Sequence, residues 1–214
     1  MSHMPNVTLP KSELAIAAYA KLENVASALL FNHALRVFAF GSVVGQKRSL
    51  RFDSDMLFVC AMLHHIGLVD DQVTSNARFE IDSANVTKAL LEQFKLEPAL
   101  AAQAWDAVAL HTSPEIPEYK SHLALALQIG VEADLYGWHF EEIPEASRQQ
   151  IIHDFPREDN FSKLLVEIYG TALIRRRDSV FRTPYVDLLE RADAKYRRPN
   201  LCGRILGSPW SYPR

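Results

Sequence analysis

From Met56 to Ile66 nearly every side chain is apolar, and the exceptions are two adjacent histidines, His64 and His65. A helix over such a run has no polar face to offer water, so it belongs in the middle of a protein. Asp53 stands before it as a cap and Gly67 after it as a terminator. The rest of the chain carries the period of helices packed around that centre. Behind Ser12, the residues Leu14, Ile16, Ala17, Tyr19 and Leu22 recur at three- and four-residue spacing. Helices are expected there and over Asn32–Gly45, Asp53–His65, Asp82–Lys95, Pro98–Leu110 and Ser121–Tyr136. Pro144–Asp154, Asn160–Arg177 and Pro184–Tyr196 complete the set. Pro144 and Pro184 fall where a first-turn proline belongs, and Thr183 is placed to cap the last helix.

No run alternates strictly enough for a strand, and glycine is scarce, at 8 of 214 residues. The expectation is therefore a single all-α domain of about nine helices. It spans residues 12–214, after a disordered or vector-derived leader over residues 1–11. From Arg197 on, prolines and glycines predict an irregular tail anchored by Trp210. Arg175, Arg176 and Arg177 read as a solvated last turn.

Charge and cysteine content narrow the function. A net charge of -3 gives no basic surface for nucleic acid, and no uninterrupted apolar stretch is long enough to span a membrane. Cys60 and Cys202 cannot form a disulfide framework, which fits a reducing, cytoplasmic setting. There is no H-E-x-x-H, C-x-x-C, G-x-S-x-G or P-loop.

Histidine placement is the informative feature. Two imidazoles at the end of a buried helix are expensive unless something binds them. His33 lies one helix earlier and His111 ends another. Asp134 sits on an apolar face among Leu125, Ile129, Val131 and Leu135, where a carboxylate needs a cation or a proton. Such groups from separate helices, gathered in a bundle core, make a metal site. His122, His139 and His153 stand beside polar residues and read as exposed.

The order of these residues resembles the HD superfamily of all-helical metal-dependent hydrolases, and in particular its cyanamide hydratase-like branch. The resemblance is carried by six stretches over roughly residues 31–210. They are Phe31–Val37, Arg78–Asn85, Trp105–Pro114, Gly130–Asp134 and, near the end, Tyr196–Asn200 with Gly207–Trp210. It implies an HD-type domain with metal ligands at His33, His64, His65 and Asp134. His65 stands where the family has its defining aspartate. A neutral imidazole offers a metal one lone pair, where a carboxylate can bridge two ions. One divalent ion is therefore expected: zinc first, with iron and manganese as alternatives. His111 would orient substrate or move a proton, with Glu80 and Asp82 as further catalytic candidates that fix imidazole tautomers.

The implied activity is a hydratase or hydrolase acting on a small, nitrile- or cyanamide-like molecule, with homo-oligomer formation left open. One alternative is a phosphohydrolase of a nucleotide or phosphate monoester, with Arg36, Arg78 and Lys88 as candidate phosphate contacts. Another is a degenerate domain that only binds.

Overall fold

The computed structural model describes residues 7–69, 75–180 and 183–208, and among these every regular element is helical. The centre is α3 (Ser54–Leu63), begun by Asp53, whose carboxylate accepts the Met56 N–H at 3.0 Å. Residues 56–63 of α3 are all buried, as the apolar run requires. Around it pack α1 (Glu13–Glu23), α2 (Ala28–Lys47), α5 (Phe79–Gln93), α6 (Pro98–Leu110) and α7 (His122–Tyr136). Ser12 caps α1 and Ser121 caps α7 through their hydroxyls. Gly137 closes α7 in the left-handed conformation at φ 70°.

Among the described residues the most extensive helix packing is between α2 and α7, and two glycines allow it. A Cβ on Gly130 would run into the Val37 carbonyl, and one on Gly41 would meet the Ala126 carbonyl at 2.5 Å. α2 is also, among the described residues, the helix long and apolar enough to cross a membrane. Its apolar window is 83% buried inside the protein, as a core helix would be.

Several local expectations are corrected. Gly67 does not end a helix. α3 stops at Leu63, residues 64–65 form a turn, and Gly67 lies inside the short α4 (Ile66–Val69). A Cβ there would strike the Phe79 carbonyl, so the glycine serves close packing of α4 on α5. α2 begins four residues before Asn32, because the Ser27 hydroxyl supplies the cap. Pro144 is itself the N-cap of α8 (Glu145–Asp154). Val7 and Leu9, expected in a disordered leader, pack against the core.

The chain divides into two compact units, one over 1–75 and 79–162, the other over 76–78 and 163–214. α9 (Phe161–Ile174) begins in the first and continues into the second. The second unit also holds α10 (Val186–Ala192) and α11 (Leu201–Leu206). Within it Tyr169 and Tyr185 stack at 5.3 Å, and Arg177 pairs with Asp193 at 2.7 Å. α11, capped by Asn200, replaces part of the expected irregular tail; Trp210 lies outside the described residues. α9 ends before the arginine triplet, and Arg176 is buried, donating to the Ala77 carbonyl at 3.2 Å. Tyr185, not Thr183, is the N-cap of α10, and the Thr183 hydroxyl donates to the Val180 carbonyl.

Candidate metal centre

The turn at residues 64–65 does what a straight helix could not. Successive helical side chains diverge by about 100°, yet here the His64 and His65 rings lie 3.8 Å apart centre to centre. His33 comes in from α2, with its ring 5.0 Å from His65 and nearly parallel to it, at 21°. One ligand atom from each of His33, His64 and His65 lies within 4.8 Å of the others, so the three are close enough to hold a metal ion. His33 and His64 have no exposed surface, and His65 is 3% exposed.

Their tautomers follow from their partners. Asp134 accepts the Nδ1 proton of His33 at 2.6 Å. Burial alone would raise the Asp134 carboxyl. The His33 hydrogen bond and the Arg36 guanidinium outweigh that and hold it at about 2, so it is ionised and acts only as an acceptor. The Ala61 carbonyl, also only an acceptor, takes the Nδ1 proton of His64 at 2.7 Å. Burial pushes His33 below its ordinary value, and pushes His64 and His65 well below theirs, so the rings are neutral at pH 7. With each Nδ1 proton committed, the Nε2 atoms of His33 and His64 present lone pairs, and they face one another at 3.3 Å. Two opposed acceptors repel, and a cation between them removes the repulsion. The residues present therefore fit a metal.

The expected ligands do not all stand together. Asp134 lies behind His33. Its carboxylate also accepts from Arg36 Nε at 2.7 Å, Arg36 Nη2 at 2.9 Å and Arg157 Nη1 at 3.1 Å. It is outside the group of three close donors. His111 caps α6, donates Nδ1–H to the Val108 carbonyl at 2.6 Å, and sets its ring edge-on to His64 at 5.1 Å. Glu80 and Asp82 are both buried in the first turn of α5. Glu80 accepts from the Thr112 hydroxyl at 2.7 Å, which ties it to the turn after His111. Asp82 accepts from Ser75 at 2.6 Å and lies against Gly67, two residues past His65.

The remaining histidines lie elsewhere. His122 and His153 are exposed, but His139 is half-sheltered between Glu132 at 3.0 Å and Glu142 at 3.1 Å. Lys88 is exposed and pairs with Glu92.

Sequence reasoning misses the ionic support of the site. Arg36 is fully buried, one turn beyond His33 on α2. A lone arginine in the apolar run Ala34–Phe38 demands a carboxylate, and that signal is there to be read. Arg157 comes from the segment between α8 and α9, where no periodicity marks it. No protein-family model matches the chain, and no curated protein matches it.

Proposed function

We propose that the chain is a metal-dependent hydratase or hydrolase of a small molecule, with one divalent ion held by His33, His64 and His65. The observation that carries this reading is the pair of Nε2 lone pairs opposed at 3.3 Å in a buried core. Three imidazoles and an open position form the donor set of a catalytic zinc, and the all-nitrogen donors rank iron and manganese behind it. When bound, such an ion brings the pKa of its water toward neutrality and polarises the substrate.

The chain's own residues do the rest. Asp134 holds the Nδ1 proton of His33 and so reserves Nε2 for ligation; the Ala61 carbonyl does the same for His64. His111, at the edge of the cluster, is the group to take a proton from the attacking water. Glu80 positions the turn that follows His111 through Thr112. The resemblance to the HD superfamily supports water addition to a nitrile- or cyanamide-like substrate. Arg36 does not support the phosphohydrolase alternative, because its guanidinium is engaged by Asp134 and by the Phe155 and Pro156 carbonyls.

One observation favours a second reading, a domain that binds without catalysis. Among the described residues no carboxylate joins the three close donors, and Asp134 is already paired with two guanidinium groups. Elemental analysis before and after offering zinc, iron and manganese separates the two readings from a metal-free fold. Activity against a panel of nitriles, cyanamide and nucleoside monophosphates separates catalysis from binding. Absence of metal uptake, with His64→Ala behaving as the unsubstituted chain, would remove the proposal.

A further inference from the structure

The three rings are buried, so a small molecule reaches them only if some neighbouring part of the chain moves. The segment between α8 and α9 is built for that. Residues 156–160 are exposed, yet the segment is pinned to the buried site at both ends. At its root, Arg36 Nη1 donates to the Phe155 carbonyl at 3.2 Å and the Pro156 carbonyl at 3.0 Å. At its far end, Asn160 turns through a left-handed corner at φ 64°, and Phe161 enters the core 6.1 Å from the His33 ring. Between them Arg157 reaches down. Its Nη1 donates to the Asp134 carbonyl at 2.7 Å and to Oδ1 at 3.1 Å, and its guanidinium lies 4.2 Å over the Phe161 ring.

We propose that residues 156–161 gate the histidine cluster and that Arg157 is the latch that holds the gate shut on Asp134. The inference rests on the cluster being the working site, and it identifies the route by which substrate enters. Two arginines share Asp134, and they are not equivalent. The Arg36 side chain is 0% exposed, and that of Arg157 is 33% exposed. Water can replace the contacts of Arg157 but not those of Arg36. When Arg157 leaves, Asp134 keeps one guanidinium for one carboxylate, so opening strands no buried charge. Phe161 then loses the nearer of the two guanidinium groups over its ring, Arg157 at 4.2 Å, and keeps only Arg36 at 4.8 Å. The root stays tethered by Arg36, so the movement is a hinge between Pro156 and Asn160 rather than a loss of the fold.

The test uses the metal-free full chain and diethyl pyrocarbonate, which acylates accessible neutral imidazoles, with each histidine followed by peptide mass spectrometry. In Arg157→Ala, modification of His33 and His64 should accelerate about tenfold, the scale of one lost hydrogen bond to a charged group. His122 and His153, already exposed, should react at unchanged rates. Cys60, buried in α3 with its thiol pushed up to about 12 by burial, should stay inert to a thiol reagent. Arg157→Lys should restore part of the protection. Unchanged rates at His33 and His64 would overturn the latch, as would acceleration accompanied by exposure of Cys60, because that reports general loosening. The labelling needs no metal, so failure of metal uptake and failure of the gate are read separately.

Discussion

The carboxylate of Asp134 and the imidazole of His33 meet at 2.6 Å from helices α7 and α2, and neither side chain has any exposed surface. This contact fixes which nitrogen of His33 is left for a ligand. It also places a full negative charge in the core, compensated chiefly by Arg36.

Removing that charge strands the arginine. Asp134→Asn should therefore destabilise the protein by about 3–5 kcal/mol, the range for breaking one side of a buried ion pair. Urea unfolding measures this as a lowered midpoint at constant slope. A loss under about 1 kcal/mol, typical of a surface pair, would mean that Asp134 is solvated in solution.

Metal uptake should distinguish ligands from their supports. His64→Ala should abolish uptake, since the opposed Nε2 pair is gone. His65→Ala should weaken it, and Asp134→Asn should lower affinity by about 10–100-fold while keeping the stoichiometry, as loss of an outer hydrogen bond does. Competition with a chromophoric chelator reads all three. Equal and complete loss in Asp134→Asn, in protein that circular dichroism shows to be folded, would make the carboxylate a ligand.

Acid should destabilise the metal-free protein in a defined window. The folded pKa values of His33, His64 and His65 lie below the ordinary 6.5. Above 6.5 neither state takes up protons at these sites, and stability is flat. Below it the unfolded chain binds protons that the folded core refuses. Stability then falls by up to about 1.4 kcal/mol per histidine per pH unit, until each folded pKa is reached. Asp134 adds a second, more acid loss as pH falls from 3.8 toward about 2. Thermal melts from pH 7.5 to 5 check the first window; a flat profile would show that the imidazoles are not buried neutral.

Gly130→Ala should be among the more damaging small substitutions in the core. Its Cβ would meet the Val37 backbone carbonyl, which cannot swing aside, so α2 and α7 must separate at a cost of about 1–3 kcal/mol or more. Gly45→Ala clashes with the movable Phe52 ring rather than with backbone and should be milder. Comparing the two melting temperatures tests this, and equal shifts would refute it.

Much of this architecture is legible in the residue order. The apolar run before His64 places α3 at the centre, and the caps at Ser12 and Asp53 follow from side-chain chemistry alone. Residue type and the order of the short stretches around the histidines point to the convergence of His33, His64 and His65. The turn that brings His64 and His65 together is legible only as one of two options, because a helix that ends at the two histidines leaves the backbone free to turn there or to run straight. Gly67 looks like a terminator in sequence because glycine ends helices; its packing role against Phe79 is a long-range contact that local signals do not encode. Arg157 is illegible for the same reason. Its partner lies 23 residues away in helix α7, and nothing in residues 155–160 repeats. α11 escapes a sequence reading because it is only six residues long and lies among Pro199, Gly203 and Gly207, which read as helix breakers.

Gly41 and Gly130 bear no reactive atom, yet they determine how near α2, with His33 and Arg36, can come to α7, with Asp134. A descendant chain could keep every imidazole, the aspartate and both arginines and still lose the chemistry through two added methyl groups a turn or two away. What is inherited as a unit here is a distance between two backbones, and its record in the sequence is the two positions where a side chain is missing.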